Sequence, residues 1–445
     1  MIAKDNKSFQ VVREGFTIKE AIDEAKRCLN CKVPQCKKGC PIENDIPDFV
    51  HALSMGDMGK AMSIINGKSN LPAICGRVCP HEKQCEGHCV LAKKGKGIEI
   101  GRLEQFVADF DADMGLIRER LPHKTRGRVA VIGSGPAGLT VAGDLARMGF
   151  NVTIYDCQEE PGGVLMFGIP EYRLPKAVVR KEIKKIEALG VGFVQNCMVG
   201  RNNVTIDSLF AEGYDAIFIG TGTSIPQNMD GVPGAKLPGV NQSTYLLHCV
   251  NSFNEGAIDR DMIPLRKGER VGVIGGGNVA MDAARTAIRL GADVTVLYRK
   301  TREDMPAMAS EYDDAVSEGV KFLWETAAVE FIPGEDGRLK SVRLNTPDGE
   351  RVEDFARIYL AIGSKPANRI VSTTEGIDVD EKGYVIVTDR PVGMTTRRGV
   401  FAGGDVVHRP QTVVLAMKAA KEVAVGIAQY VDAIKLLEDC RIRIE

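Results

Sequence analysis

The stretch Arg128-Val-Ala-Val-Ile-Gly-Ser-Gly-Pro-Ala-Gly138 decides the fold of most of this chain. A short apolar strand runs into a glycine turn, and a helix is predicted over 139–148. In this pattern Gly133 permits the tight turn, Gly135 lets the backbone approach a pyrophosphate, and Gly138 lets the helix pack on the strand. The N-terminus of the helix then faces the phosphates, so the stretch predicts a dinucleotide-binding fold.

The strand that follows, 151–155, ends at Asp156, an acid suited to ribose hydroxyls. Far along the chain, 399–405 is an apolar strand that ends in Gly-Asp, where an aspartate can bond a ribityl or phosphate group. A helix predicted over 412–424 would direct its N-terminus at a flavin ring. We therefore assign this first site to FAD, with the candidate ligands Gly133, Ser134, Gly135, Pro136, Ala137, Gly138, Asp156, Gly222, Gly404, Asp405, Thr412 and Val413.

The pattern recurs in Arg270-Val-Gly-Val-Ile-Gly-Gly-Gly-Asn-Val-Ala280. Its second strand, 293–298, ends in a basic residue, Arg299. Arginine can pair with a 2′-phosphate that an acid would repel, which favours NADP(H). The alternative is a solvated basic loop, which would leave NAD(H) equally acceptable. The candidate ligands are Gly275, Gly277, Asn278, Val279, Ala280, Arg299, Lys300, Arg302 and Gly363.

Two further strands with glycine exits, 214–222 and 358–364, flank the second glycine loop. This indicates one domain inserted in another, the chain leaving near residue 222 and returning near 363. We predict an α/β protein with a helical iron–sulfur domain at 1–122. An FAD domain at 123–250 and 365–445 follows, and a second Rossmann-like domain, for NADP(H), is inserted at 251–364.

Composition excludes several functions. Of 445 residues, 44% are apolar and 26% charged. The net charge is −1, so the protein has no positive electrostatic field that would attract nucleic acid. No run of about 18 apolar residues predicts a membrane span. The first 16 residues lack the apolar core of a signal peptide. We expect a cytoplasmic protein, in which clustered cysteines are metal ligands more often than disulfides.

Eight of the twelve cysteines form two runs in the first 89 residues, Cys28-x2-Cys31-x4-Cys36-x3-Cys40 and Cys75-x3-Cys79-x5-Cys85-x3-Cys89. Disulfides are disfavoured because no export signal precedes them. Zinc favours paired CxxC knuckles, a form that only Cys28 and Cys31 have. Cys40-Pro41 and Cys79-Pro80 are typical of ferredoxin-type ligation. Eight thiols could hold two four-iron clusters, although their spacing does not pair them. A capping box at Thr17-x-x-Glu20 predicts a helix before Cys28.

These motifs occur in a telling order: the cysteine runs, the first glycine loop, Pro161-Gly-Gly163, Gly168-Ile-Pro-Glu-Tyr-Arg-Leu-Pro175, the second glycine loop and Ala402-Gly-Gly-Asp405. Over nearly its whole length the chain resembles the small (β) subunit of NADPH-dependent glutamate synthase. It is similar also to the N-terminal half of dihydropyrimidine dehydrogenase. The large subunit of the bifurcating ferredoxin:NADP oxidoreductase and the flavoprotein subunit of sulfide dehydrogenase are further members.

The resemblance implies two [4Fe-4S] clusters with one ligand exchanged between the runs. One cluster would take Cys28, Cys31, Cys36 and Cys89, and the other Cys40, Cys79, Cys85 and Glu104. Cys75 is then a spare thiol, and the alternative for Glu104 is a solvated charge at a helix start. The resemblance also places Gly162, Gly163 and the 168–175 loop with Arg173 against the flavin, where a plain structural loop would look no different. Glutamate is commoner than aspartate at position 156.

The expected activity is hydride transfer between NADP(H) and FAD, with the flavin splitting the electron pair for the clusters. Hydride transfer needs no protein acid or base, so no catalytic residue is predicted. Cys157, Cys197, Cys249 and Cys440 are isolated and are expected to be ordinary thiols.

Glutamate synthesis would need an N-terminal cysteine nucleophile and an FMN-bearing barrel of roughly 200 residues. The chain starts Met1-Ile2-Ala3 and leaves no space for the barrel, so we expect a second redox subunit. One hypothesis is a glutamate synthase large subunit. Another is a ferredoxin-reductase-like subunit of a transhydrogenase or sulfide dehydrogenase, with ferredoxin as a candidate acceptor. A third makes the N-terminal region a zinc module that docks a partner.

Overall fold

The computed structural model describes residues 9–10, 15–117, 119, 121–201 and 204–439. The chain forms two compact units. Unit 1 comprises Met1–Val12, Phe167–Pro175 and Ile225–Ser364, and unit 2 comprises Arg13–Met166, Lys176–Ser224 and Lys365–Glu445. The longest segment of unit 1 corresponds to the insertion expected between residues 222 and 363. No helix among the described residues is both long and apolar enough to cross a membrane.

Unit 2 begins with a helical region that carries the eight clustered cysteines. The predicted capping box is present, since Thr17 Oγ1 accepts from the Glu20 amide and Glu20 Oε2 accepts from the Thr17 amide, at 3.3 and 2.8 Å. Fully buried side chains such as Phe49, Leu53 and Leu103 form its core. The helices are α1 (Ile18–Lys26), α2 (Gln35–Gly39), α3 (Ile46–Ser54), α4 (Met58–Asn66), α5 (Pro72–Val78) and α6 (Ile100–Met114).

The first glycine loop lies between a strand and a helix, as predicted. Residues of the strand β1 alternate little in polarity because both faces of a parallel sheet are covered. The elements between residues 127 and 219 are β1 (Gly127–Ile132), α7 (Pro136–Arg147), β2 (Phe150–Tyr155), α8 (Val164–Phe167), α9 (Lys176–Ala188), β3 (Gly192–Val194), α10 (Ile206–Ala211) and β4 (Ala216–Ile219).

Unit 1 contains the second glycine loop. Its elements are β5 (Ile225–Pro226), β6 (Val240–Gln242), α11 (Ser243–Asn254), β7 (Arg270–Ile274), α12 (Asn278–Arg289), β8 (Asp293–Leu297), α13 (Ala309–Ser317), β9 (Lys321–Leu323), β10 (Ala327–Pro333), β11 (Leu339–Thr346), β12 (Gly349–Asp354), β13 (Arg357–Leu360) and β14 (Ser364–Lys365). A five-stranded sheet has the order β6-β13-β7-β8-β9, and β10, β11 and β12 form an antiparallel sheet. Because β6 pairs with β13, the five-stranded sheet already includes residues ahead of the expected boundary at 251.

Two short pieces of chain from outside the insertion also belong to unit 1. Phe9 is 8% exposed and shares a core with Val271 and Met281. Tyr172, from the loop that precedes α9, is buried in the same core. The chain therefore contributes to this unit from three separate parts of the sequence.

The return of the chain completes unit 2. Its last elements are α14 (Arg369–Ser372), β15 (Val387–Asp389), β16 (Val392–Thr395), β17 (Val400–Ala402) and α15 (Val413–Asp439). The seven-stranded sheet has the order β15-β16-β17-β4-β1-β2-β3, with β1 parallel to both β2 and β4. The helix α15 begins where it was predicted but runs about four turns of helix beyond residue 424, to Asp439.

Candidate cofactor sites

The first glycine loop has the backbone that a pyrophosphate requires. Gly133 adopts φ +99°, a conformation that favours glycine. A Cβ on Gly138 would lie 1.9 Å from the Gly133 carbonyl oxygen, so α7 packs directly on the turn. A Cβ on Gly135 would meet nothing within 4 Å, so this side of the turn is open to a ligand. The residues fit a dinucleotide at the start of α7.

Asp156 closes this loop from the end of β2. Its Oδ2 accepts hydrogen bonds from the Ser134 amide at 2.7 Å and from Ser134 Oγ at 2.5 Å. Its Oδ1 accepts from the Gln158 amide at 2.9 Å, and the residue is 6% exposed. Both carboxylate oxygens therefore accept hydrogen bonds from the protein's own loop. The sequence analysis predicted only that Asp156 binds ribose hydroxyls and did not predict this structural role.

Three other predicted segments meet the first loop. A Cβ on Gly163 would lie 3.1 Å from Gly135 Cα, and a Cβ on Gly404 would lie 2.8 Å from Ala137 Cβ. The Gly162 amide donates to Ser134 Oγ at 2.9 Å. Unit 2 thus brings the turns at 133–138, 162–163 and 404–405 together, as a shared FAD site requires.

The start of α15 completes this side of unit 2. Thr412 Oγ1 accepts weakly from the Leu415 amide, at 3.4 Å, just ahead of Val413. Burial raises the pKa of Asp405 to about 6, opposed by a hydrogen bond from the Gln411 backbone. Gly222 has a positive φ of +61° and open space where a Cβ would stand. These positions are compatible with the predicted ligand set.

The second glycine loop repeats the geometry within unit 1. A Cβ on Gly275 (φ +143°) would lie 2.4 Å from the Ala361 carbonyl oxygen, whereas one on Gly277 would meet nothing. Asn278 Oδ1 accepts from the Met308 amide at 3.0 Å, so this side chain ties the loop to the start of α13. Ala280 is fully buried and Val279 is 44% exposed. Gly363 adopts φ +101° after β13.

Basic side chains stand at the end of β8, as expected. Arg299, Lys300 and Arg302 are all exposed. The Arg302 guanidinium lies 4.4 Å over the ring of Tyr312, which limits its freedom. The arrangement suits a phosphate group that arrives from solvent.

The Arg173 side chain is engaged in ion pairs within unit 1. Its guanidinium is 2.7 Å from Asp282 and 3.1 Å from Glu311, and all three side chains are 10% exposed or less. Burial raises the pKa of Asp282 to about 6, although the charge of Arg173 opposes the shift. Arg173 therefore anchors α12, the helix of the second loop. The signal in the sequence is Asp282 itself, an acid within the apolar run that starts at Val279.

The first group of thiols surrounds one cavity in unit 2. Cys28, Cys31, Cys36 and Cys89 line it, together with apolar side chains such as Ile46 and Val50. Burial, and then the neighbouring thiols, raise the pKa of Cys36 to about 11. These are the four cysteines that the resemblance assigns to one cluster.

The resemblance assigns Cys40, Cys79, Cys85 and Glu104 to the second cluster. Glu104 is 8% exposed and its Oε1 has no hydrogen-bond partner among the described residues. Burial, then the charge of Glu182, raises the pKa of Glu104 to about 8. Burial, and to a lesser degree the Glu104 carboxylate, raises the pKa of the Cys40 thiol to about 11. A buried carboxylate oxygen without a partner fits a metal ligand and excludes a solvated charge.

Cys75 lies beside the second group. It is buried, hydrogen-bonds with Cys79, and places its Sγ 3.5 Å from Met417 Sδ on α15. Cys75 thus contacts the helix that begins at the expected flavin site. All cysteines that the structure describes are free, including the isolated Cys157, Cys197 and Cys249, while Cys440 lies outside the described residues.

Comparison with known families divides the chain at a similar place. Residues 5–116 match the family described as dihydropyrimidine dehydrogenase domain II, 4Fe-4S cluster. Residues 127–420 match the pyridine nucleotide-disulphide oxidoreductase family. The cysteine runs lie in the first match and both glycine loops in the second.

Relatives align over almost the full length. The glutamate synthase [NADPH] small chain of Halomonas elongata is 36% identical over 96% of this chain and 94% of its own length. That of Azospirillum brasilense is 32% identical over 97% and 93%. The NAD-dependent dihydropyrimidine dehydrogenase subunit PreT of Escherichia coli is 35% identical over 94% and 96%.

Among solved structures, a thioredoxin reductase of Lactococcus lactis covers 68% of this chain and 99% of its own, with a TM-score of 0.52. Its sequence is 23% identical. The likeness shows that the two glycine-loop domains have the fold expected of paired dinucleotide-binding domains.

Proposed function

Because the chain belongs to the family of NADPH-dependent glutamate synthase small chains, we propose that it carries electrons between NADP(H) and two [4Fe-4S] clusters through FAD. It is an iron–sulfur and flavin oxidoreductase subunit by family. The match to a 4Fe-4S family over residues 5–116 argues against the zinc module. What the proposal adds is the identity of the nucleotides, the number of clusters and the residues that hold them.

One observation carries the proposal. The cysteine runs do not stay together in the fold: Cys89, from the second run, joins Cys28, Cys31 and Cys36 around one cavity. Cys40, from the first run, instead lies close enough to Glu104 for the carboxylate charge to raise the pKa of its thiol, and the same charge raises the pKa of Cys79 and Cys85. This exchange of Cys40 and Cys89 between the two runs supports two cubane clusters.

The glycine loops support the assignment of the nucleotides. When bound, a flavin converts two-electron hydride chemistry into one-electron chemistry. The chain's own residues bind and orient: the open face at Gly135 admits one pyrophosphate, and that at Gly277 admits another. The buried carboxylate of Asp156 fixes the first turn through Ser134. We assign no residue a proton-transfer role.

The relatives carry names that differ in the nicotinamide, since the small chains are named for NADPH and PreT for NAD. We propose NADP(H) for this chain because Arg299, Lys300 and Arg302 are exposed at the end of β8. An arginine there can form paired hydrogen bonds with a 2′-phosphate.

The name "small chain" places those relatives beside another subunit. We propose that this chain works with a larger glutamate synthase subunit in the cytoplasm, without membrane or nucleic acid. The alternative is a ferredoxin-reductase-like subunit of a transhydrogenase or sulfide dehydrogenase type. Glu104 favours that alternative, because the resemblance gives the transhydrogenase glutamate at this position. Co-purification under native expression separates the two.

The test is metal, sulfide and flavin analysis of the anaerobically purified chain, followed by titration with NADPH and NADH. We expect about eight iron and eight sulfide for two [4Fe-4S] clusters, one FAD, and flavin bleaching by NADPH in preference to NADH. Glu104→Ala and Cys75→Ser form a matched pair: the first should lose about half the iron and the second should keep it. Zinc without sulfide, or the reverse result for the pair, would contradict the assignment.

A further inference from the structure

Positive charge is concentrated around the first thiol group. From residue 25 to residue 42 the chain has no acidic residue and five basic ones, Lys26, Arg27, Lys32, Lys37 and Lys38. The segment 90–98, directly after Cys89, again has no acid and carries Lys93, Lys94 and Lys96. The chain as a whole has a net charge of −1, so this distribution is local.

Some of these charges are neutralised within the fold and others are not. Arg27, Lys37 and Lys96 pair with Glu24, Asp45 and Glu99. In the part of the chain that the structure describes, no carboxylate lies within ion-pair distance of the other five, all of which are exposed. These are Lys26, Lys32, Lys38, Lys93 and Lys94.

Apolar side chains stand at the same place. Leu29 is 61% exposed and Val33 is 60% exposed, and they bracket Cys31 in sequence. Leu29 lines the cavity together with Cys28 and Cys89, and so do Val90 and Leu91, which lead to Lys93. An apolar centre with a charged rim is the composition of a protein-docking surface.

The two thiol groups differ in depth. In the first group Cys28, Cys31 and Cys36 are half-buried and only Cys89 is buried, whereas in the second group Cys79 and Cys85 are buried and only Cys40 is half-buried. Cys79 also hydrogen-bonds with Cys75, which contacts α15. The first group is therefore the one nearer the protein surface, and the second is nearer the flavin side of unit 2. An external one-electron partner has its shortest approach at the first group.

We propose that Lys32, Lys38, Lys93 and Lys94, around Leu29 and Val33, form the docking surface for an acidic one-electron redox protein. The inference rests on the proposed electron path through the clusters and adds an external one-electron acceptor to it. One NADPH supplies two electrons, so two partner molecules each gain one electron while NADP⁺ and one proton are released. The lysines steer and hold the partner through charge.

The test compares two triple variants of the intact holoprotein that remove the same charge. One carries Lys32→Glu, Lys93→Glu and Lys94→Glu, and the control carries Lys236→Glu, Lys340→Glu and Lys382→Glu, three exposed lysines of the other domains. The probe is a small ferredoxin with a strongly acidic surface, and cytochrome c serves as a basic one-electron acceptor. Binding affinity is measured by calorimetry and electron transfer by NADPH-driven reduction.

We expect the first variant to bind ferredoxin about tenfold or more weakly at low salt, with the difference shrinking at high salt. Its reduction of cytochrome c should improve, and its iron content and reduction of ferricyanide should match the control. Equal ferredoxin affinity in the two variants would overturn the docking surface. If the unmodified protein binds ferredoxin through these lysines and yet NADPH reduces neither ferredoxin nor ferricyanide, the docking surface stands and the proposed function fails.

Discussion

The two glycine loops share the same strand–turn–helix pattern, yet different side chains support each of them. The first is held from the end of its second strand, where the buried Asp156 carboxylate bonds Ser134. The second has an exposed Arg299 at that position. Its helix α12 is instead stabilised by the buried ion pair between Asp282, which lies on the helix, and Arg173. A glycine pattern thus specifies the turn, while its support is specified by acids that lie outside the pattern.

The loops also differ at their third position. Gly138 has no room for a side chain, because a Cβ would lie 1.9 Å from the Gly133 carbonyl oxygen. The corresponding residue in the second loop is Ala280, whose methyl group is fully buried. The second loop therefore has room for a methyl group where the first has none, and only the first loop depends on glycine at all three positions.

Removing the support of the second loop should have the largest effect. Arg173→Met leaves the Asp282 carboxylate buried without its partner, which costs about 3–5 kcal/mol of unfolding free energy. Glu311 keeps its ion pair with Arg285 at 2.9 Å, so the cost arises mainly from the Asp282 carboxylate, which loses its ion pair with Arg173. Denaturant unfolding of the variant and the parent measures the loss.

The pH dependence sharpens that experiment. The folded pKa of Asp282, about 6, is already above its ordinary 3.8, and the loss of Arg173 raises it further. The folded state then binds more protons than the unfolded state between these values, so stability falls as pH rises through that window. Variant and parent bind different numbers of protons only above the parent's folded pKa of about 6, so their difference in stability should be smaller at about pH 5 than at about pH 8. An equal difference at both would show that Asp282 is not the source.

Loosening the first loop should cost less. Asp156→Asn removes the charge from a group that accepts from Ser134 and Gln158, and a hydrogen bond to a charged group contributes about 1.5–3 kcal/mol. We expect lower stability in the flavin-free protein as well as weaker FAD retention. If stability falls only when FAD is present, Asp156 acts on the ribose and not on the loop.

Exchanging the third positions tests the packing difference directly. Gly138→Ala forces the turn or α7 to move, which costs about 1–3 kcal/mol and weakens FAD binding by about tenfold or more. The reciprocal Ala280→Gly costs only about 1 kcal/mol, from helix propensity. Flavin content and thermal unfolding of the two variants provide the comparison, and equal flavin loss in both would contradict it.

The smallest effect on stability is expected at the open end of the second loop. Arg299→Ser changes an exposed side chain, so unfolding free energy should stay within about 0.5 kcal/mol. The KM for NADPH should rise by about tenfold and that for NADH should stay the same, since only the 2′-phosphate loses a partner. An equal change for both nucleotides would remove Arg299 from the specificity argument.

Local patterns predicted the local elements well. Glycine spacing and apolar runs located β1, β2, β7 and β8, and the Thr17 capping box located the start of α1. The antiparallel sheet β10–β12 was not predicted, because its strands carry exposed charges and no motif. The end of α15 was missed as well, since no glycine or proline follows residue 426 to stop it.

Candidate site residues could be predicted where a sequence motif contains them. The ion pairs between residues that are distant in sequence could not be predicted. The four thiols around the first cavity and the buried Glu104 came from a family pattern, not from spacing. The partner of Arg173 lies 109 residues away, and no local feature connects it with Asp282. Long-range ion pairs of this kind depend on the packing of whole domains, which periodicity does not report.

The three-part composition of unit 1 has a consequence for biosynthesis. A ribosome releases Phe9 and Tyr172 well before Val271 and Met281, the core residues they pack with, have been made. The segments that contain Phe9 and Tyr172 therefore stay without their packing partners during synthesis. The core of unit 1 can be completed only after residue 364 has left the ribosome. For the same reason, a fragment excised at 225–364 would display an empty socket for Tyr172 and an unneutralised Asp282. Such a fragment should aggregate on expression unless the 167–175 peptide is supplied or grafted back.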